Sequence, residues 1–312
     1  MEIIGRTYGG NGESIMITSL VTGAAGFIGS NLVDYLLDKG HSVVCVDNES
    51  ADNEKFHWAL ENGQAINVKG DITDYKFMKN VFTGVDYVFH LAAESRLQPA
   101  IENPIRAVTK NCVGTTVMLQ CAREAGVKRF IYSSTSSGYG NNPFPNVETQ
   151  PDDCLNPYSA SKVAAEKFCK MYTDLYGLET VVLRYFNVFG QRSPQRGQYA
   201  PVIGIFQRQK EAGEPLTIVG DGSQRRDFVH VEDVARANYL AAIMPIGEYM
   251  GEVFNVGTGT CYTVKQIADA ISDNQTYIPE RTGEMDTTFA DITKIGKVIG
   301  WKPEIDVLQW LK

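Results

Sequence analysis

Between Leu20 and Ser30 the chain reads LVTGAAGFIGS, a short β-branched run, then Gly23, Gly26 and Gly29, then an apolar-periodic stretch. Few local patterns restrict a fold more. Glycines at this spacing let a strand turn tightly into a helix, whose first backbone amides are left free to approach a pyrophosphate closely. A lone glycine triplet would be weak evidence, but here the flanks agree. Ile28, Leu32, Tyr35 and Leu36 line one helical face, and Gly40 ends that helix. The next run, HSVVCVD, closes on Asp47, at about the twenty-residue spacing where an acid takes a ribose 2′-hydroxyl. A carboxylate there would repel a 2′-phosphate, so the pattern predicts NAD rather than NADP as the cofactor.

The same rhythm continues. VDYVFHLAA reads as a buried strand, and PIRAVTKNCVGTTVMLQCAREAG as a helix opened by Pro104. KRFIYSS and ETVVLRYF read as strands on either side of the long helix PYSASKVAAEKFCKMYTDLYG. Alternation of this kind predicts an α/β protein with a Rossmann-type, doubly wound parallel sheet. Beyond Phe186 the pattern loosens into GQRSPQRGQYAP and GDGSQRRDF, broken by helical stretches near 202–212 and 231–244. The expected division is a dinucleotide-binding domain over 16–185 plus about 228–258, and a smaller mixed α/β substrate lobe from 186–227 and 259–312. The glycine-rich residues 1–15 precede a second methionine, Met16, and read as an extension.

Composition excludes several alternatives. With 29 lysines and arginines against 37 acids and a formal charge of -8, a broad nucleic-acid footprint is not expected. No apolar run is long enough to span a bilayer, and no signal-peptide pattern is present. The six cysteines (Cys45, Cys112, Cys121, Cys154, Cys169, Cys261) lack CxxC spacing and mostly lie in apolar runs, which predicts reduced thiols and a cytoplasmic setting. His41, His57, His90 and His230 are scattered without ligand spacing, so no metal site is expected.

Chemistry is concentrated in two stretches. PYSASK puts Tyr158 and Lys162 at i and i+4, on one helical face. An ammonium beside a phenol stabilises the phenolate and makes tyrosine a usable base near neutrality. YSSTSSGYG, residues 132–140, ends a strand with a cluster of hydroxyls. Asp71 in KGDITD is equally readable as an adenine contact or a capping aspartate, and His90 is given no proton-transfer role.

Taken together, TGAAGFIGS, HLAA, SSTSSGYG, YSASK, LRYFNVFG and RRDFVHVEDV resemble the extended branch of the short-chain dehydrogenase/reductase superfamily, in particular its nucleotide-sugar epimerases and dehydratases. The resemblance runs from Met16 to Lys312. It implies Thr135, four residues before Tyr139, as the catalytic hydroxyl beside Tyr158 and Lys162, with Ser134 and Ser136 as auxiliaries on the sugar and Ser133 and Ser137 satisfying backbone groups. For NAD it implies Gly23, Gly26, Phe27, Ile28, Gly29, Asp47, Asn48, Asp71, Ile72, Leu91, Ala92, Ala93, Asn111, Ser133, Tyr158, Lys162 and Tyr185. For a nucleoside diphosphate it implies Asn187, Arg226 and Arg281, with Glu284 on the ribose.

Relatives that eliminate water carry Asp-Glu directly after that threonine, and decarboxylating relatives carry a glutamate two residues after it; here Ser136 and Ser137 follow. The resemblance therefore implies 4-epimerisation. A position four residues after the ribose-binding acid walls the sugar pocket in the 4-epimerases, and the small Thr288 there favours UDP-GlcNAc/UDP-GalNAc, with UDP-Glc/UDP-Gal as a second activity. HLAAESRLQPAIENP departs from the branch's pattern: Arg96, beside Glu94 and Ser95, keeps UDP-glucuronate 4-epimerisation open, as an unusual dehydratase or decarboxylase stays open. Gly138 stands where relatives have valine, expected to loosen the turn, and the chain stops at VLQWLK, short of a final helix expected in relatives. A silent NAD-binding regulator on the same fold is the non-enzyme alternative. The resemblance also implies a homodimer paired through helices 104–125 and 157–176.

Overall fold

The computed structural model describes residues 16–51, 56–61, 63–195, 200–279 and 287–312. The segment 1–15, read above as an extension, lies outside them. Seven parallel strands form the central sheet: β1 (Thr18–Thr22), β2 (Ser42–Asp47), β3 (Ala65–Lys69), β4 (Tyr87–His90), β5 (Arg129–Thr135), β6 (Thr180–Tyr185) and β11 (Val253–Val256), in the order β11-β6-β5-β4-β1-β2-β3. The order reverses between β1 and β4, and a crevice opens there at the strands' carboxyl ends.

Both faces of the sheet are covered, which is why its strands read as near-continuous apolar runs. Val21, Val43, Phe89, Ile131 and Leu183 pack with Leu32 and Leu36 of α1 (Phe27–Asp38), Val234 and Ala237 of α8 (Val231–Ile243), and Ile295 and Ile299 of α10 (Thr293–Ile299). Alternate residues Leu20, Val44, Val88, Phe130 and Val182 pack with Met78 of α2 (Tyr75–Val81), Met118 and Leu119 of α5 (Thr115–Ala125), and Ala165 and Cys169 of α6 (Pro157–Tyr176). Side chains one residue apart on a strand point to opposite faces, so this two-core partition follows from the pleat.

The expected helix opened by Pro104 is realised in three pieces behind α3 (Leu97–Glu102): α4 (Pro104–Val108), a wider π-turn over Thr109–Gly114, and α5. Asn103 caps α4 by accepting from the Arg106 amide at 3.0 Å. The π-turn carries Asn111 inward, where its Oδ1 accepts from the Glu94 amide at 2.8 Å and its Nδ2 donates to the Glu94 carbonyl.

The second lobe has its own core of Phe189, Ile203, Phe206, Leu216, Ile218, Phe228, Ile267 and Ile271. It is built from α7 (Val202–Glu211), α9 (Val264–Ile271), α11 (Val307–Trp310) and three two-stranded sheets. These pair β7 (Asn187–Phe189) with β10 (Phe228–His230), β8 (Leu216–Val219) with β13 (Gln275–Ile278), and β9 (Arg225–Arg226) with β12 (Tyr262–Thr263). Asp227 locks this lobe to the loop after β11: its buried carboxylate accepts from the amides of Thr258, Gly259 and Ala290 and from the Thr258 hydroxyl. The six cysteines are free thiols. No helix among the described residues is long and apolar enough to cross a membrane, and no metal-ligating cluster occurs among them.

Candidate active site

A cavity of about 730 Å³ lies at the crevice where the strand order reverses. Its walls include Gly23, Gly26, Phe27, Ile28, Gly29, Asp47, Asn48, Ile72, Leu91, Ala92, Ala93, Ser133, Tyr158, Lys162 and Tyr185, all anticipated for the cofactor. The glycine turn is shaped by exclusion. A Cβ on Gly29 would stand 2.0 Å from the Gly23 carbonyl oxygen, and Gly23 has φ +68 with Ala92 3.0 Å from where its Cβ would be. Only glycine allows the helix to start this close to the strand, which brings its amides to the crevice floor.

Asp47 ends β2 with Oδ2 accepting from the Ala25 amide at 3.1 Å and Oδ1 from the Glu49 amide at 2.8 Å. Burial pushes its pKa up, against those bonds. Asp71 is not on the cavity wall. Its carboxylate accepts from Asn48, from the amide and hydroxyl of Thr73, and from Lys110 at 2.5 Å. Against the burial that would raise it, these bonds hold Asp71 well below the usual carboxylate range. Asp71 thus braces Asn48 and Lys110, both of which do line the cavity. Asn111 likewise stands one layer back, on the Glu94 backbone and the Ser161 hydroxyl.

The candidate trio Thr135, Tyr158 and Lys162 is assembled from two elements. Thr135 closes β5, and α6 begins at Pro157 with Asn156 capping it, so Tyr158 and Lys162 lie in the first two turns facing the strand's end. Tyr158 and Thr135 both line the cavity; burial raises the phenol's pKa and the Thr135 hydroxyl opposes the rise. Lys162 is 3% exposed and its pKa is brought down to about 7 by burial, against the opposing fields of Glu166, Cys169 and Cys112. Ser133 bonds the Tyr185 hydroxyl at 2.8 Å, and Tyr185 donates to Asn238 at 2.9 Å, fixing the wall beside the trio.

Ser134 lines the cavity, but its hydroxyl is spent elsewhere, donating to Glu166 Oε1 at 2.5 Å. Glu166 in turn accepts from Arg184 Nε at 2.9 Å and Nη2 at 2.6 Å, and Arg184 reaches Asp152 at 2.7 Å. Sequence reasoning missed this buried network. Only the Lys162–Glu166 spacing of four residues on one helical face was visible in the sequence; the pairing of Ser134 with Arg184 is set by the register of β5 on β6. Gly138 was expected to loosen its turn, but it is buried, and a Cβ there would stand 2.6 Å from Val163 Cγ2. The valine on α6 takes the space.

Fewer of the expected sugar-nucleotide contacts reach the cavity. Ser136, Asn187, Arg226 and Thr288 are not among its walls. Asn187 Nδ2 donates to the Asp227 carbonyl and to Thr288 Oγ1, each at 2.9 Å, so the expected wall residue Thr288 is held by Asn187. Arg226 Nη1 donates to the Arg225 carbonyl at 3.0 Å. Arg281 and Glu284 lie outside the described residues. The second lobe contributes Phe186, Val188, Pro194 and Pro201 to the walls instead, and the segment after β4 contributes Glu94, Ser95, Arg96, Glu102 and Arg106. Arg106 Nε pairs with Glu94 at 2.8 Å.

A doubly wound parallel sheet with a glycine turn at its crevice and a tyrosine, lysine and threonine at its mouth defines an NAD-binding enzyme of the extended short-chain dehydrogenase/reductase type. Comparison with known proteins agrees. Residues 19–257 match the NAD dependent epimerase/dehydratase family. The chain is 37% identical to a UDP-glucose 4-epimerase of Mycolicibacterium smegmatis over 92% of its length and 94% of the relative's. It is 35% identical to a UDP-glucuronate 4-epimerase of Thermodesulfobacterium geofontis, covering 94% of this chain and 93% of that one. Among solved structures, a UDP-N-acetylglucosamine 4-epimerase of Methanobrevibacter ruminantium in complex with UDP-N-acetylmuramic acid superposes with a TM-score of 0.87 at 34% identity, over 95% and 96% of the two chains. The chain belongs to the NAD dependent epimerase/dehydratase family, within its nucleotide-sugar 4-epimerases. Its cofactor is NAD, and the glycine cradle fits it, since any Cβ at Gly29 would close the approach to the turn.

Proposed function

We propose that this protein is a UDP-hexosamine 4-epimerase that interconverts UDP-GlcNAc and UDP-GalNAc, with UDP-Glc/UDP-Gal as a second pair. The observation that carries the 4-epimerase chemistry is the convergence of Thr135, Tyr158 and, one turn further along the same helix, Lys162 on the cavity wall. Thr135 aligns the sugar's C4 hydroxyl and Tyr158 takes its proton. Lys162 supplies the positive charge that favours the phenolate and holds the cofactor's ribose. When bound, NAD would supply the hydride chemistry at C4; the 4-keto sugar turns in the cavity before return so that the opposite face is reduced. Tyr158 then gives the proton to the new alkoxide. Ser136 and Ser137 follow Thr135, so no carboxylate stands there to eliminate water, which supports simple oxidation and return.

The hexosamine choice rests on the sequence position of the small Thr288, which lies behind the cavity wall on Asn187 rather than on it, and is supported by likeness to the Methanobrevibacter enzyme. UDP-glucuronate is the second reading, favoured by Arg96 and Arg106 on the cavity wall. Two copies are proposed to pair through the helical stretch 104–125 and α6, where Val113 of the π-turn and Phe168 are exposed beside a groove of about 470 Å³.

The test is incubation of purified protein with UDP-GlcNAc, without added NAD, followed by NMR of the anomeric protons. Appearance of UDP-GalNAc at a stable ratio is the expected result. Unchanged UDP-GlcNAc in NAD-replete protein defeats the Thr288 argument, and conversion of UDP-glucuronate instead would establish the second reading. Tyr158→Phe should lose turnover by about 100-fold or more while still binding NAD; retained turnover would refute the role given to Tyr158.

A further inference from the structure

Lys162 presents a physical problem that the reaction does not solve. Its ammonium is buried, yet among the described residues no carboxylate pairs with it. Glu166 sits one turn further along the same helix, but its carboxylate is spent on Arg184 and Ser134. A buried cation needs a close favourable partner, or it gives up its proton.

The closest partner is an aromatic face. Lys162 Nζ lies 4.3 Å from the centroid of the Tyr132 ring, the shortest approach of any lysine to a ring among the described residues. Tyr132 is fully buried and held in place: its hydroxyl donates to the Lys162 carbonyl at 3.3 Å, and its ring stacks on His90 at 5.9 Å and 28°. His90 is pinned in turn by Thr22 at 2.8 Å and Thr115 at 3.0 Å. Burial and the Lys162 charge bring the His90 pKa down to about 3, so a neutral ring lies beside Tyr132 at any working pH.

We propose that the Tyr132 ring, stacked on neutral His90, is the seat of the Lys162 ammonium: a positioning residue that keeps the lysine charged and aimed into the cavity through a cation–π contact. The geometry explains why a buried tyrosine and a buried histidine that do not themselves line the cavity stand directly behind the reacting lysine. A ring's negative face stabilises an ammonium without neutralising it and offers it no competing hydrogen bond, so the N–H groups stay available to ligand. The other titratable groups facing Lys162 are Glu166 and Cys169 from α6, Cys112 from the π-turn and His90 at the end of β4. The thiols have pKa values raised by burial and stay neutral near pH 7.

The inference rests on Lys162 as the reaction's lysine, and its test reads the ammonium itself. Position 132 is replaced by phenylalanine and by phenylalanines of increasing ring fluorination, which drain the ring's negative face while keeping its shape. In the full chain carrying lysine labelled at Cε, the Lys162 signal, identified by its loss in Lys162→Arg, is titrated by NMR with and without NAD. Tyr132→Phe should titrate with the parent, and the midpoint should fall stepwise with fluorination, by about one pH unit across the series. A midpoint that stays fixed across the series, in proteins with unchanged melting, overturns the proposal. So does a Tyr132→Phe midpoint displaced as far as that of the most fluorinated ring. A graded shift in a protein that turns over no UDP-sugar would leave the seat standing while removing the epimerase reading.

Discussion

Glu166→Gln is expected to destabilise the fold by about 3 kcal/mol, toward the lower end of the cost of breaking a buried ion pair. Glu166 and Arg184 are 3% and 2% exposed, and two short bonds join them. An amide at position 166 keeps one acceptor oxygen but turns an N–H group toward the Arg184 donors, whose Nη1 is already without a partner. The remaining counter-charge is Asp152, 2.7 Å from Arg184 but shared with Lys167 at the same distance. That remaining pair keeps the loss from reaching about 5 kcal/mol. Urea unfolding of NAD-free protein measures it, with the midpoint falling at unchanged m and the melting temperature dropping by about 4–5 °C. Replacing both partners at once, as Glu166→Leu with Arg184→Met, should recover most of the loss, because no charge is then left unpaired. A Glu166→Gln protein within about 1 kcal/mol of the parent would refute the reasoning, since a surface pair is worth that little.

Two further expectations follow from the same wall of the cavity. Gly29→Ala puts a methyl 2.0 Å from the Gly23 carbonyl, so the turn must open by about 1 Å, and turnover should fall on the order of 100-fold with weakened NAD binding by fluorescence titration; unchanged NAD affinity would show that the turn does not seat the cofactor. Lys162 keeps its proton up to its ordinary pKa of 10.5 in the unfolded chain but only to about 7 in the folded one, so its share of stability is full above the first value and is lost as pH falls to the second. Lys162→Met should therefore be more stable than the parent at pH 7, with the advantage shrinking towards pH 10; a difference that does not change with pH contradicts the buried charge.

Alternation of β-branched runs with amphipathic ones was enough to place the strands and helices of the parallel sheet, because a strand buried on both faces has to be continuously apolar and its crossover helix has to be striped. That the glycine turn, Asp47, Thr135, Tyr158 and Lys162 would meet at one cavity was legible for a related reason: each sits within a few residues of a strand end or helix start, where local sequence sets geometry. Tertiary structure decided what depends on distant segments meeting. The π-turn that sends Asn111 to Glu94, the Ser134–Glu166–Arg184–Asp152 network and the hold of Asn187 on Thr288 each join residues that no periodicity links. The same holds for Tyr132, which the chain presents as one more aromatic residue in a buried strand. Only the packing of α6 over β5 sets its ring under an ammonium thirty residues away in sequence, because a side chain's electrostatic partner is fixed by burial and approach rather than by spacing.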